Sequence, residues 1–452
     1  MEKSLEILKE RLSESLENGN LKETKMILNS LNIYDIAEFF DDLSQTDLTI
    51  CFNLLSKDTA ALVFAEMDIE QQKLLISGFS DEVLEQIING LRTDDKVDII
   101  EELPSNLVKK VLKFTDPEHR RVINTMLNYP KDSAGSIMTI EYASTKAGHT
   151  VEEVIKLLKK NGANKETIDI IYIIDDTRHL IGEVSLADLV LSDSEAPISS
   201  IMNHDVISVN TTEDREEVSR IFTKYDFYNM PVVDNENRLV GIITVDDVLD
   251  IIEQEITEDM DIMSAITPTI KPYKQLSVFE ICKNRVPWLL VLLISSTFTS
   301  LILMNYEKTL EKYVVLAAFL PMITDTGGNA GSQSASTIIR SLSLKEIDLK
   351  DLLYVIWKEA RVAFFAGLIL SFFNFLKLMF FDKVGLHVAA VVSVTVVVTV
   401  LLAKVTGSIL PVVADSLGAD PAVMASPLIT TIVDALAILV YLNIAIAMLP
   451  NM

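Results

Sequence analysis

The residues of this chain most able to do chemistry are carboxylates, and they come in two settings. In "VDDVLDIIEQEITEDMDIM", Asp246, Asp247, Asp250, Glu253, Glu255, Glu258, Asp259 and Asp261 fill about four helical turns with no basic residue among them. Like charges at i, i+3 and i+4 repel by a few tenths of a kcal/mol per pair, so a run this dense calls for something positive against it. Hard divalent cations meet that need, and Mg2+ in particular takes one or two carboxylates while keeping several waters. A second acidic spot, "TDDKVDIIEEL", sets Asp94 and Asp98 one helical turn apart. An ion bridging two such surfaces draws them together, and its removal leaves them to repel. A solvated acidic face is the plain alternative.

The second setting is apolar. "PMITDTGGNAGSQSAS", Pro321 to Ser336, follows "YVVLAAFL" and breaks a hydrophobic run with Asp325, Asn329, Gln333 and the glycines Gly327, Gly328 and Gly331. Further on, Asp434 stands alone in "SPLITTIVDALAILVYLNIAIAML", with Thr430 and Thr431 about one turn before it. An ionisable residue at the centre of a bilayer costs roughly 2.5–3.5 kcal/mol on insertion scales, so it ordinarily faces a cavity or pathway. The glycines permit close helix approach or expose backbone carbonyls. Asn329 and Gln333 add neutral oxygens that suit a hydrated cation. Nothing here makes or breaks bonds: the chain has no Gly-Lys-Ser/Thr phosphate loop and no HExxH, which speaks against an ATP-driven pump and a metallohydrolase.

The elements that must hold these residues follow from composition. The 452 residues carry a formal net charge of −26, which suits a collector of cations and argues against nucleic acid. Cys51 and Cys282 are far apart and outside any CxxC pattern, so neither a zinc site nor a disulfide framework is expected. The N-terminus is charged throughout and reads as no secretory signal. Up to about Lys283 the chain is charge-rich and is expected to be cytosolic. From Val286 on, five apolar runs predict membrane spans at about 286–304, 313–340, 352–381, 386–411 and 423–449. Lys283 and Arg285, and then Arg340, Lys345, Lys350, Lys358 and Arg361, place those ends in the cytosol by the positive-inside rule, for an N-in, C-out topology. The acidic loop "PVVADSLGADP" lacks that support, and only Lys404 nearby helps.

In the soluble half, apolar residues recur at three and four spacing from Leu5 to about Asn128, with caps at Ser80-Asp81 and Thr93-Asp94, predicting a superhelical bundle of short helices. An internal repeat follows. "AGSIMTIEYAS", "TVEEVIKLLKK" and "IYIIDDTRHLIGEVSLADLVL" are echoed by "ISSIMNHDVISV", "DREEVSRIFTK" and "MPVVDNENRLVGIITVDDVLD". This resembles a tandem of CBS domains over about Ala134 to Glu255. The first unit is less regular, with "NGANKETIDIIYII" before its second strand. The resemblance implies a nucleotide such as ATP between the repeats, held at Thr244 and Asp247 and at Ser185 and Asp188. The residues themselves fit a purely structural pair equally well.

"FLPMITDTGGNAGSQSASTIIRSL" and "GADPAVMASPLITTIVDALAILVYL", in this order of domains, resemble the MgtE family of magnesium channels. The implied fold is a multidomain membrane protein. An all-α superhelical N domain (1–130) precedes α/β CBS domains (131–200 and 201–260), a connecting or plug helix (261–284) and an α-helical transmembrane domain of five spans (285–452). The implied function is a Mg2+-selective channel in the cytoplasmic membrane, a homodimer with its pore on the two-fold axis, closed when Mg2+ binds the cytosolic acids; it is no enzyme. Pore residues would be Asp434, Asn329, Asp325, Gly328 and Thr431. Mg2+ would bind at Asp94, Asp98, Glu216, Asp226, Asp247, Asp250, Glu255, Glu258, Asp259, Glu359, Asp420 and Asp434. The plug segment begins after Tyr273, beyond the interruptions at Pro268 and Pro272. Two rivals stay open: Mg2+ exchange coupled to Na+ or H+, and a membrane-anchored sensor of ions or nucleotides.

Overall fold

The computed structural model describes residues 2–41, 43–269, 271 and 273–449. Pro272 lies outside them. The chain divides into two compact units, Met1–Ile252 and Glu253–Met452.

The first unit opens with short helices that obey a period the sequence reading had missed. Helix caps stand at Ser44, Ser56, Asp68, Ser80, Arg92 and Pro104, twelve positions apart each time. Ser44, Ser56 and Asp68 accept the backbone N–H of Asp47, Thr59 and Glu70, contacts worth about 1 kcal/mol each against alanine. The helices Lys57–Ala65 and Ser105–Phe114 end on Glu66 and Thr115, and the others on an apolar residue that turns inward. Phe79, Leu91 and Leu103 are such C-caps, all buried with Phe40, Phe52 and Phe64. Thr93, expected as a cap, is instead the first helical residue of Thr93–Glu102, and Arg92 is its cap. The Thr93 hydroxyl is buried and donates to Glu141 at 2.6 Å, so Asp95 caps the Arg92 N–H.

The CBS repeat is closely kept. Ser144–Thr145 runs parallel to Ile170–Ile174, which pairs antiparallel with Leu180–Ser185; Val209–Asn210, Asn229–Val233 and Leu239–Thr244 repeat this. Even the bulge recurs, at Ile173/Ile174 and Val232/Val233. The repeat is broken where the sequence is irregular: Asn161 to Ile170 spans nine positions, whereas Tyr225 to Asn229 spans four. Across the pair the buried Tyr172 hydroxyl donates to Asn229 Oδ1 at 2.8 Å.

The acidic run forms one helix, Val245–Met263, crossing the boundary expected at residue 260. Among the described residues no helix forms between it and Ser277, and Ala265 takes a φ of +55°. Ser277 and Glu280 make a capping box, so a new helix starts at Val278. It continues to Asn305, joining the expected plug segment to the first apolar run without a break.

Among the described residues, four helical stretches are long and apolar enough to cross a membrane by length and composition: Val278–Asn305, Leu349–Phe380, Leu386–Ser416 and Pro421–Met448. The helix Leu320–Ser343, here the motif helix, has 24 residues and so spans about 36 Å. Its polar residues keep it less apolar than the others. It packs between Leu386–Ser416 and Ser426–Met448, where Gly327 meets Thr399 and Val433, and Gly331 meets Ile429. Small residues are what permit backbones to come this close.

Candidate cation sites

In the first unit the helix Thr93–Glu102 brings Asp94 and Asp98 toward Asp247 of the Val245–Met263 helix. Lost hydration and the charges of Asp95 and Asp247 raise the Asp94 carboxyl well above the usual carboxylate range. Asp98 is pushed up to about 7 by lost hydration and then by Asp247, and Asp247 to about 6, although the Thr244 hydroxyl donates to it at 2.6 Å. Asp98 keeps solvent contact, which screens its share. Glu66, Glu141 and Glu166 join this cluster, and the sequence reading had missed all three. Glu166 is the most telling. Its side chain is 7% exposed and pairs with Arg92 through one oxygen, while the other, Oε2, is buried without a partner. Burial pushes its carboxyl up to about 7 despite the Arg92 guanidinium. Two local signals pointed to it: the extra residues of the first CBS unit, and an arginine at a cap position where the four preceding intervals put serine or aspartate. Lys96 is buried in the same place, its ammonium destabilised by lost hydration.

These carboxylates share a field without forming a coordination sphere: among the described residues no three His, Cys, Asp or Glu side chains are grouped tightly enough to hold a metal ion. The arrangement suits an ion that keeps its water. Glu216 and Asp226 are not brought together, since they stand at opposite ends of the helix Arg215–Tyr225, Asp226 as its left-handed C-cap at φ 53°. At the expected nucleotide positions, Ser185 caps a helix and donates to Asp188 at 2.6 Å, the counterpart of Thr244 with Asp247.

In the second unit, Asp259 is pushed up to about 6 by lost hydration and then by Asp420, Glu255 and Glu258. Asp420 caps the turn Pro421–Met424, accepting the Ala422 N–H at 2.7 Å. Ile262 and Met263 pack against the apolar cluster that includes Ala422 and Ala425, and Asp420 is near enough to raise Asp259, so the end of the acidic helix lies near that turn. Asp250 lies near Glu66 in the first unit.

Within the membrane helices, Asp434 Oδ1 lies 3.8 Å from where a Cβ on Gly328 would fall. Asp325 is near enough for the two charges to interact. The Thr430 and Thr431 hydroxyls both donate to the Pro427 carbonyl at 2.9 Å, leaving their oxygens free to accept. Asp325, Asn329, Gln333 and Thr337 are exposed at every fourth position of the motif helix, while Gly327, Gly331 and Ser334 on the other side are buried. Glu359 faces a hydroxyl and an ammonium. The Ser334 hydroxyl donates to its Oε2, and the Lys404 ammonium lies 3.8 Å from that oxygen. Lys404, counted from sequence toward the charge of the following loop, is therefore a buried residue.

The chain matches a family described as divalent cation transporter over residues 320–444, the MgtE intracellular N domain over 31–132, and CBS domains over 134–195 and 198–254. It is 35% identical to the magnesium transporter MgtE of Thermus thermophilus, covering 96% of this chain and 97% of that one. With the magnesium transporter MgtE of Bacillus subtilis it is 30% identical over 97% and 96%. Among solved structures, the soluble part of a magnesium transporter aligns at a TM-score of 0.51 and 32% identity, over 56% of this chain and 99% of that one. The cytosolic domain of the Mg2+ channel MgtE in complex with ATP aligns at 0.51 and 35%, over 53% and 98%.

Proposed function

The chain belongs to the MgtE family of magnesium transporters, and we propose that it is a Mg2+-selective channel of the cytoplasmic membrane that its own cytosolic acids close when Mg2+ is plentiful. The observation that carries this reading is the exposed row Asp325, Asn329, Gln333 and Thr337, with Asp434 close to Asp325. Lipid cannot cover such a row, because polar groups in hydrocarbon need partners or water. A second copy of the chain facing it across a two-fold axis encloses a polar path, with the motif helix as the second of five spans. Asp434 sets the sign of the charge admitted. Asn329, Gly328 and Thr431 supply neutral oxygens or room for a hydrated ion.

For gating, Asp94, Asp98 and Asp247 are the proposed core of the sensor, with Asp250, Glu255, Glu258, Asp259 and Asp420 along and beside the connecting helix, and Glu216 and Asp226 facing the second copy. Without a cation their mutual repulsion favours separation, and hydrated Mg2+ removes that penalty. The N-terminal unit lies in the cytosol in this reading. Ser185, Asp188, Thr244 and Asp247 are the proposed contacts for ATP. Transport down a gradient needs no chemical step.

Bilayer recording of the purified protein tests the reading, with cytosolic Mg2+ varied from micromolar to millimolar. Unitary currents that close as Mg2+ rises are expected. Steady uptake with no unitary current, driven by Na+ or a proton gradient, would make the protein a coupled transporter instead.

A further inference from the structure

We infer that Lys404 is the resident cation of the membrane domain and that, with Glu359 and Ser334, it sets the rotation of the motif helix about its axis. Only the functional consequence rests on the transport reading. The three groups come from three helices: Ser334 from Leu320–Ser343, Glu359 from Leu352–Phe380 and Lys404 from Leu386–Ser416. Lys404 Nζ donates to Ser334 Oγ at 3.4 Å and lies 3.8 Å from Glu359 Oε2, and Ser334 in turn donates to Glu359. The lysine side chain is 9% exposed and the glutamate 14%. Either charge alone would be strongly disfavoured at such a depth, and together they are neutral and hydrogen-bonded.

The position of this network gives it a task. Lys404 is one turn before Gly407 on its helix, and Ser334 is one turn after Gly331 on the motif helix. Gly331 and Gly407 touch through backbone. That contact fixes how far apart the two helices are but, having no side chains, does little to fix rotation. The directional bonds at Ser334 do. Because Ser334 and the row Asn329 and Gln333 occupy opposite sides of one rigid helix, seating the serine aims the row. Glu359 is then a positioning residue whose charge an ammonium already balances.

A mutant cycle on the full-length protein in liposomes loaded with a Mg2+ dye tests this: Lys404→Met, Glu359→Gln, both together, and Lys404→Arg. Each single neutralisation is expected to slow Mg2+ uptake about tenfold, since it strands the opposite charge. The double variant is expected to recover most of that loss and Lys404→Arg to stay near wild type. The Mg2+ concentration that half-closes the protein should be unchanged in Glu359→Gln. Losses that add in the double variant, or a shifted half-closing concentration in Glu359→Gln alone, would overturn the inference. If a single variant yields no folded protein, the cycle is read from the monodisperse fraction on gel filtration. There the double variant must again exceed the single one, and a double no better than the single counts against the pair. Wild-type liposomes that take up no Mg2+ would sink the transport reading and leave the gel-filtration cycle to decide for or against the ion pair.

Discussion

Gly407 lies so close to Gly331 that a Cβ on Gly407 would fall 2.3 Å from the Gly331 carbonyl oxygen. The atom in the way is backbone, which cannot swing aside as a side chain can. Gly407→Ala is therefore expected to force the two helices apart at a cost on the order of 3 kcal/mol. Thermal unfolding of purified protein should show a clear drop, with Gly385→Ala as the control, because nothing lies within 4 Å of a Cβ there. An unchanged midpoint for Gly407→Ala would mean the helices do not meet at this point.

Asp434 and Asp325 should contribute unequally to conduction. Asp434 is half-buried, whereas Asp325 is exposed. Asp434→Asn is expected to cut Mg2+ current about tenfold or more, since losing about 1.4 kcal/mol of ion stabilisation is already tenfold, and Asp325→Asn should cut it less. Equal effects in bilayer recordings would remove the distinction.

The cytosolic acids predict a pH dependence of definite sign. Glu166 and Asp94 have raised pKa values in the folded chain, Glu166 to about 7, whereas unfolded carboxylates titrate near pH 4. The stability they favour is fully present below the unfolded value and is lost as pH rises through the folded one. In Mg2+-free buffer, amide exchange in Thr93–Glu102, corrected for its intrinsic rate, should therefore speed up between about pH 4 and pH 7. Glu166→Gln should flatten that profile. An exchange rate that slows with rising pH would contradict the cluster's charge balance.

Cation removal should act on the same helix. Chelating Mg2+ at pH 7.5 is expected to make the region around Asp94 and Asp247 more open to protease, and added Mg2+ to close it again. The protecting effect should weaken as pH falls, because protons compete for the carboxylates. Asp94→Asn with Asp98→Asn should abolish the response; protection that persists in this variant would place the ion elsewhere.

Much of this architecture was legible because its signals are local. The CBS repeat appears in the sequence as paired motifs, and the apolar runs announce their helices by length. Asp434 stood out as a lone charge among Leu, Ile and Val. What escaped depended on partners distant in the chain. Glu166 sits in an irregular stretch and matters through Arg92, 74 residues away in sequence. Lys404 read as a loop charge, because its burial depends on Glu359 and Ser334 from two other helices. Thr93 read as a cap, since nothing nearby reveals that Glu141 claims its hydroxyl.

The twelve-residue spacing of the caps makes the N-terminal helices a ruler. Because each helix packs on the one two along, removing a pair of intervals, from Ser44 to Asp68 for instance, would leave every later helix in phase, with Arg92 still reaching Glu166. A deletion of any other length would turn the remaining stack like a screw and carry the acidic helix out of alignment. In such a solenoid each helix leans chiefly on the helix two along, so this domain can change length only by pairs of helices while its last helices keep their aim.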